Sequence, residues 1–85
     1  MKVIKKNGNL ETYDSEKIKK SIANTSDDIR QPLTKADLNT LCSSINDIIY
    51  ENHKESIAYI EIRKIVEKVL RENGFSEVAS HYINS

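Results

Sequence analysis

The sequence predicts an α+β fold, an N-terminal β-hairpin capping a four-helix bundle, and three observations predict it. Asn7-Gly8 separates two short segments that are partly β-branched or aromatic. Apolar residues then recur at three- and four-residue spacing through most of the remaining chain. Helix start and stop residues punctuate that pattern at Asp14, Thr34 and Gly74.

Residues 2–6 and 9–13 are the expected strands. Asn and Gly both tolerate positive φ, which makes Asn-Gly between such segments a strong hairpin signal. A two-residue turn would pair Ile4 with Glu11, whereas a type I turn with Gly8 in a bulge shifts that register, and the residues fit either. Asp14 is the expected N-cap of the first helix. Lys17 stands three residues on, where a capping box would carry Glu or Gln, and a lysine in a first turn opposes the helix dipole. A bound anion would reverse the sign of that interaction. Ile18 and Ile22 share a face of this helix, which is expected to fade through Asn24-Thr25-Ser26 into a polar connection over 26–33 that contains Pro32.

Thr34 and Asp37 open a second helix over about 35–52, with Leu38, Leu41, Cys42, Ile45, Ile48 and Ile49 as its apolar stripe. Ile57, in the short connection that follows, could form a brief third strand. A third helix is expected over about 60–73, burying Ile62, Ile65, Val66, Val69 and Leu70, and Gly74 supplies its left-handed stop. Ser76 is the expected cap of a last helix carrying Val78, Ala79, Tyr82 and Ile83. With 85 residues the chain has room for one core, so residues 1–85 are read as one domain.

Composition narrows the function. Apolar content of 38% and charge of 31% suit a globular protein. No apolar run approaches the ~20 residues that cross a bilayer, and the start does not read as a signal peptide, which points to the cytoplasm and away from a membrane. Cys42 is the one cysteine, set in an apolar stretch as a buried thiol. His53 and His81 have no acidic or cysteine partner at metal-ligand spacing, and no Walker-type phosphate loop is present, so neither a catalytic nor a metal site is expected. Net charge is zero but unevenly spread. Residues 1–20 carry six lysines against three carboxylates, and the remainder seven basic against ten acidic residues. A broad basic surface for nucleic acid is not predicted. A local positive pocket for a small anion, between Lys5, Lys6 and Lys17, fits the asymmetry.

The order apolar-x-Lys-Lys-Asn-Gly, then Glu11, then Tyr-Asp-x-x-Lys-Ile, resembles the ATP-cone domain of ribonucleotide reductases and their transcriptional repressor. That family's pattern is roughly Val-x-Lys-Arg-(Asp/Asn)-Gly, four variable residues, an aromatic or apolar residue, Asp or Asn, two more residues and Lys-Ile. Val3, Lys5, Asn7, Gly8, Tyr13, Asp14, Lys17 and Ile18 fall in register with it, and GFSEVASHYI over 74–83 looks like the ending of the cones of anaerobic reductases.

The resemblance implies a hairpin lid over the helices with ATP or dATP between them, and the amines suit phosphate chemistry. Lys5, Lys6 and Lys17 would meet phosphate oxygens through charge-assisted hydrogen bonds, with Mg2+ accompanying the nucleotide. Glu11 and Asp14 would face the base or ribose, and Val3 and Ile4 would pack against adenine. Asn7 belongs to the turn motif, and His81 and Tyr82 would close the site from the last helix. Lys6 stands where the family usually has Arg. Tyr59 stands at the start of the third helix, where members often carry a Ser or Thr that meets the nucleotide. The family commonly continues past the final Tyr into a basic residue, whereas this chain ends at Asn84-Ser85, as a reductase's first domain or a free-standing cone would. The implied function is non-catalytic allosteric regulation, exerted on a parent or partner reductase subunit or through self-association. The rival expectation is a degenerate cone that serves as a helical interaction module without nucleotide.

Overall fold

A computed structural model describes residues 1–84. The elements run β1 (Lys2–Ile4), β2 (Leu10–Thr12), α1 (Ser15–Asp28), α2 (Lys35–Asn52), β3 (Ser56–Ala58), α3 (Tyr59–Glu72) and α4 (Ser76–Asn84). This is the expected α+β class, and the brief strand at Ile57 is present. The sheet order is β2-β1-β3, with β1 antiparallel to β2 and parallel to β3.

The hairpin adopts the bulged alternative. Gly8 N–H donates to the Lys5 carbonyl at 2.9 Å, and Lys5 N–H donates to the Asn9 carbonyl at 2.8 Å. Gly8 takes φ +86°, a left-handed backbone that a side chain would strain. Asn7 Oδ1 accepts from Asn9 N–H at 3.1 Å and braces the turn. Ile4 therefore pairs with Leu10, not with Glu11, and Val3 pairs with Glu11. Each strand is three residues long, shorter than the expected 2–6 and 9–13, because the turn takes the chain between them.

Asp14 caps α1 as expected, its Oδ1 accepting from Glu16 N–H at 3.0 Å. The helix does not fade at Asn24-Thr25-Ser26 but continues to Asp28. Thr25 Oγ1 donates to the Ser21 carbonyl and Ser26 Oγ to the Ala23 carbonyl, both at 2.9 Å. Satisfied inside the helix, these hydroxyls can be buried in the core. The connection to α2 is correspondingly shorter than 26–33.

The ends of α1 and α3 use the same device. Beyond α3, Gly74 at φ +87° donates to the Arg71 carbonyl at 3.1 Å and Phe75 to the Leu70 carbonyl at 2.8 Å, a Schellman closure. Beyond α1, Arg30 donates to the Asp27 carbonyl at 3.0 Å and Gln31 to the Ser26 carbonyl at 2.9 Å, with Arg30 itself at φ +58°. The capping box of α2 is complete, Thr34 Oγ1 accepting from Asp37 N–H at 3.0 Å and Asp37 Oδ2 from Thr34 N–H at 3.4 Å. Ser76 is the first residue of α4 and not its cap. Phe75, already held by the Schellman turn, offers its carbonyl to Ala79 N–H at 2.9 Å, so the helix starts at once.

Ile22, Leu41, Ile45, Ile49, Val66, Leu70 and Val78 form the centre of the core, and Ile57 carries the sheet into it. No helix among the described residues is long and apolar enough to cross a membrane.

Arg30 is exposed and held where glycine is unstrained. Arg30→Gly is expected to stabilise the fold by about 1 kcal/mol. In a domain of this size that raises the thermal midpoint by about 4–8 °C, read by circular dichroism.

Candidate functional site

Strand alternation and the bulged register put Val3 and Glu11 on the sheet face turned toward the helices, while Ile4 and Leu10 lie exposed on the other. The end of β2 is fastened to α2 by Tyr13. Its hydroxyl donates to Asn46 Oδ1 at 2.5 Å, and its ring meets Tyr50 edge-on with centroids 5.8 Å apart. Burial pushes the Tyr13 phenol up to about 12, with Tyr50, Cys42 and Asp14 adding to the shift.

Under the sheet, Val3, Glu11, Tyr13, Asp14, Lys17 and Ile62 surround a hollow of ≈ 140 Å³. That is below the usual range of ligand sites. Lys17 Nζ donates to Glu11 Oε1, and Lys5 Nζ stands 3.9 Å from Glu11 Oε2. The Lys17 hydrogen bond, then the charges of Lys17 and Lys5, hold the Glu11 carboxyl below its ordinary value. The same hydrogen bond and the Glu11 charge raise the Lys17 ammonium. Two of the three amines expected at a phosphate thus share one carboxylate of the chain.

The third amine goes elsewhere. Lys6, at the hairpin tip, lines a separate cleft of ≈ 590 Å³ with Tyr59, Ile60, Arg63, Lys64, Glu67 and Ile83. This volume lies within the usual range of ligand sites. Tyr59 and Arg63 lie four residues apart and so share a face of α3. Arg63 Nη2 donates to the Tyr82 carbonyl at 3.1 Å and the Ile83 carbonyl at 2.9 Å, and the guanidinium carbon sits 5.4 Å from the centre of the Tyr82 ring. Lys64 makes a loose pair with Glu61 at 3.6 Å. Glu67, the one carboxylate lining the cleft, is held by Arg71 Nε at 3.0 Å. Three cations against one paired carboxylate leave the cleft positive.

The structure therefore divides the residues singled out in the sequence. Val3, Lys5, Glu11, Asp14 and Lys17 gather under the sheet, while Lys6 and Tyr59 meet in the cleft. Asn7 braces the turn, and Ile4 faces outward. Tyr82 is buried beneath Arg63. His81 lines a third, open hollow with Ile29, Glu77 and Ser80, apart from the residues of the other two. Arg63 and Lys64 were not singled out by sequence. Their signal was a basic pair four and five residues after Tyr59, a little over one helical turn on.

A small sheet is set on a helical bundle, with a cationic cleft between its hairpin tip and a helix. The model of the ATP cone domain matches residues 1–84, and the chain belongs to that family. The ATP cone is a nucleotide-binding regulatory module and not a catalytic one. No curated protein matches the chain.

Two titrations test this geometry. Glu11 has a depressed folded value, so its pairing stabilises the fold above the ordinary carboxylate value of 4.5 and is lost as pH falls through the depressed one. Glu11→Gln is expected to flatten part of the acid limb of the thermal midpoint against pH, less so in high salt. Tyr13 has a raised folded value, so its contribution is full below pH 10 and lost as pH climbs toward about 12. Tyr13→Phe is expected to cost about 1 kcal/mol at neutral pH and to remove that alkaline loss, both read by thermal unfolding.

Proposed function

We propose that the chain is an allosteric regulatory domain that takes an adenine nucleotide, ATP or dATP, in the cleft between the hairpin tip and α3. The convergence of Lys6, Arg63 and Lys64 on one ligand-sized cleft carries the reading. Ammonium and guanidinium donors suit phosphate oxygens. Tyr59 and Ile60 offer adenine an aromatic and an apolar surface. Among the described residues, no group of three His, Cys, Asp or Glu side chains could hold a metal ion, so Mg2+ would arrive on the phosphates. Lys5 and Lys17 stand behind Glu11 as a second line of positive charge.

Occupancy would be passed to a parent or partner reductase subunit, or to a second copy of the chain. Discrimination between ATP and dATP would rest on one 2′-hydroxyl, worth about 0.5–1.5 kcal/mol, which matters only where it tips an equilibrium already near balance.

A second reading, a cone that binds no nucleotide and acts as a helical interaction module, has one observation in its favour. Glu11 already pairs with both Lys5 and Lys17, and Arg63 already serves the carbonyls of α4.

Calorimetry with ATP, dATP, GTP and inorganic triphosphate, each with Mg2+, separates the two. The first reading expects adenine-selective binding that weakens about tenfold or more in Lys6→Ala or Lys64→Ala, the loss of one charge-assisted contact. Lys5→Ala and Lys17→Ala should weaken it less, since each leaves Glu11 one lysine. A folded sample that gives no heat with any nucleotide supports the second reading and overturns the first.

A further inference from the structure

Arg63 belongs to two structures at once. It lines the cationic cleft with Lys6 and Lys64, and it holds the last turn of α4 through the Tyr82 and Ile83 carbonyls. Those carbonyls lie at the helix end, where intrahelical donors run out and where a cation also meets the negative end of the helix dipole. α4 has nine residues, too few for a helix that is stable alone, so its last turn depends on such tertiary ties.

The atom that makes these bonds decides what a phosphate would do. Both are donated by Nη2. A guanidinium grips an oxyanion bidentately along one of two forked edges, Nε with Nη2 or Nη1 with Nη2. Nη2 belongs to both edges. A phosphate held by either fork must therefore take an Nη2 hydrogen that now serves α4.

We propose that Arg63 couples the cleft to α4: an anionic ligand gripped by a guanidinium fork takes an Nη2 hydrogen that now serves the Tyr82 or the Ile83 carbonyl and so loosens the C-terminal turn of α4. The inference rests on the nucleotide reading of the cleft and adds the route by which occupancy leaves it. The ligand tightens one wall, at the hairpin tip and α3, while it slackens another. Arg63 is a coupling residue as well as a contact, and the end of α4 is the part of the domain that changes.

Amide hydrogen exchange on the intact chain, with and without saturating Mg2+-ATP, tests it. Exchange at the amides of Tyr82, Ile83 and Asn84 should rise severalfold on binding, while exchange at Gly8 and Asn9 in the hairpin turn slows. In Arg63→Ala the α4 amides should already exchange fast without nucleotide and gain nothing from it, with the Gly8 and Asn9 response retained at higher nucleotide concentration. Arg63→Lys has no fork, and should show a smaller nucleotide-dependent change at α4 than the wild type. Slowed exchange in the turn with unchanged or slower exchange at α4 overturns the coupling and leaves the nucleotide reading standing. No response anywhere, with calorimetry silent, overturns both.

Discussion

The left-handed backbone at Gly8 determines where the charges of the hairpin go. By taking up the bulge it sets Val3 opposite Glu11 and Ile4 opposite Leu10. A slip of β2 by one residue against β1 would reverse the faces of β2, turning Glu11 outward and Leu10 beneath the sheet. With the observed register, Glu11 turns inward beside Lys17, Lys5 leans on the same carboxylate, and Lys6 projects from the tip toward α3. Two lysines adjacent in sequence thereby serve different parts of the molecule.

The lysine surplus of the first twenty residues is thus resolved in two ways. Part of it is neutralised within the chain by Glu11, an exposed pair whose strength depends on ionic strength. The rest combines with Arg63 and Lys64, residues supplied from α3, to make a cleft that remains positive. A Lys17 side chain in the first turn of α1, awkward beside the helix dipole, is relieved by a carboxylate of the chain itself.

The fold was legible in sequence wherever its cause is local. Asp14, the Thr34–Asp37 box and Gly74 act through hydrogen bonds within a few residues, and each ends or begins a helix where expected. The apolar stripes identified the core for the same reason. Thr25 and Ser26 misled because a hydroxyl serves equally to end a helix or to bond back inside one, and burial against other elements decides between them. The register of the hairpin was undetermined because the same residues fit two loops. The site was less legible. Lys6 and Tyr59 do line the cleft, but Arg63 owes its position to carbonyls nineteen and twenty residues away on another helix, which no local pattern encodes.

The parallel pairing of β1 with β3 has a mechanical consequence. A two-stranded hairpin could swing on its ends like a flap, but β1 is the middle strand, laced on one edge to β2 and on the other to the segment that leads into α3. Tyr13 pins the same assembly to α2. Outside that lacing lies the short tip beyond the last ladder pair, where Lys6 sits. Closure over a guest would fall to that tip, a fingertip set against a fixed palm.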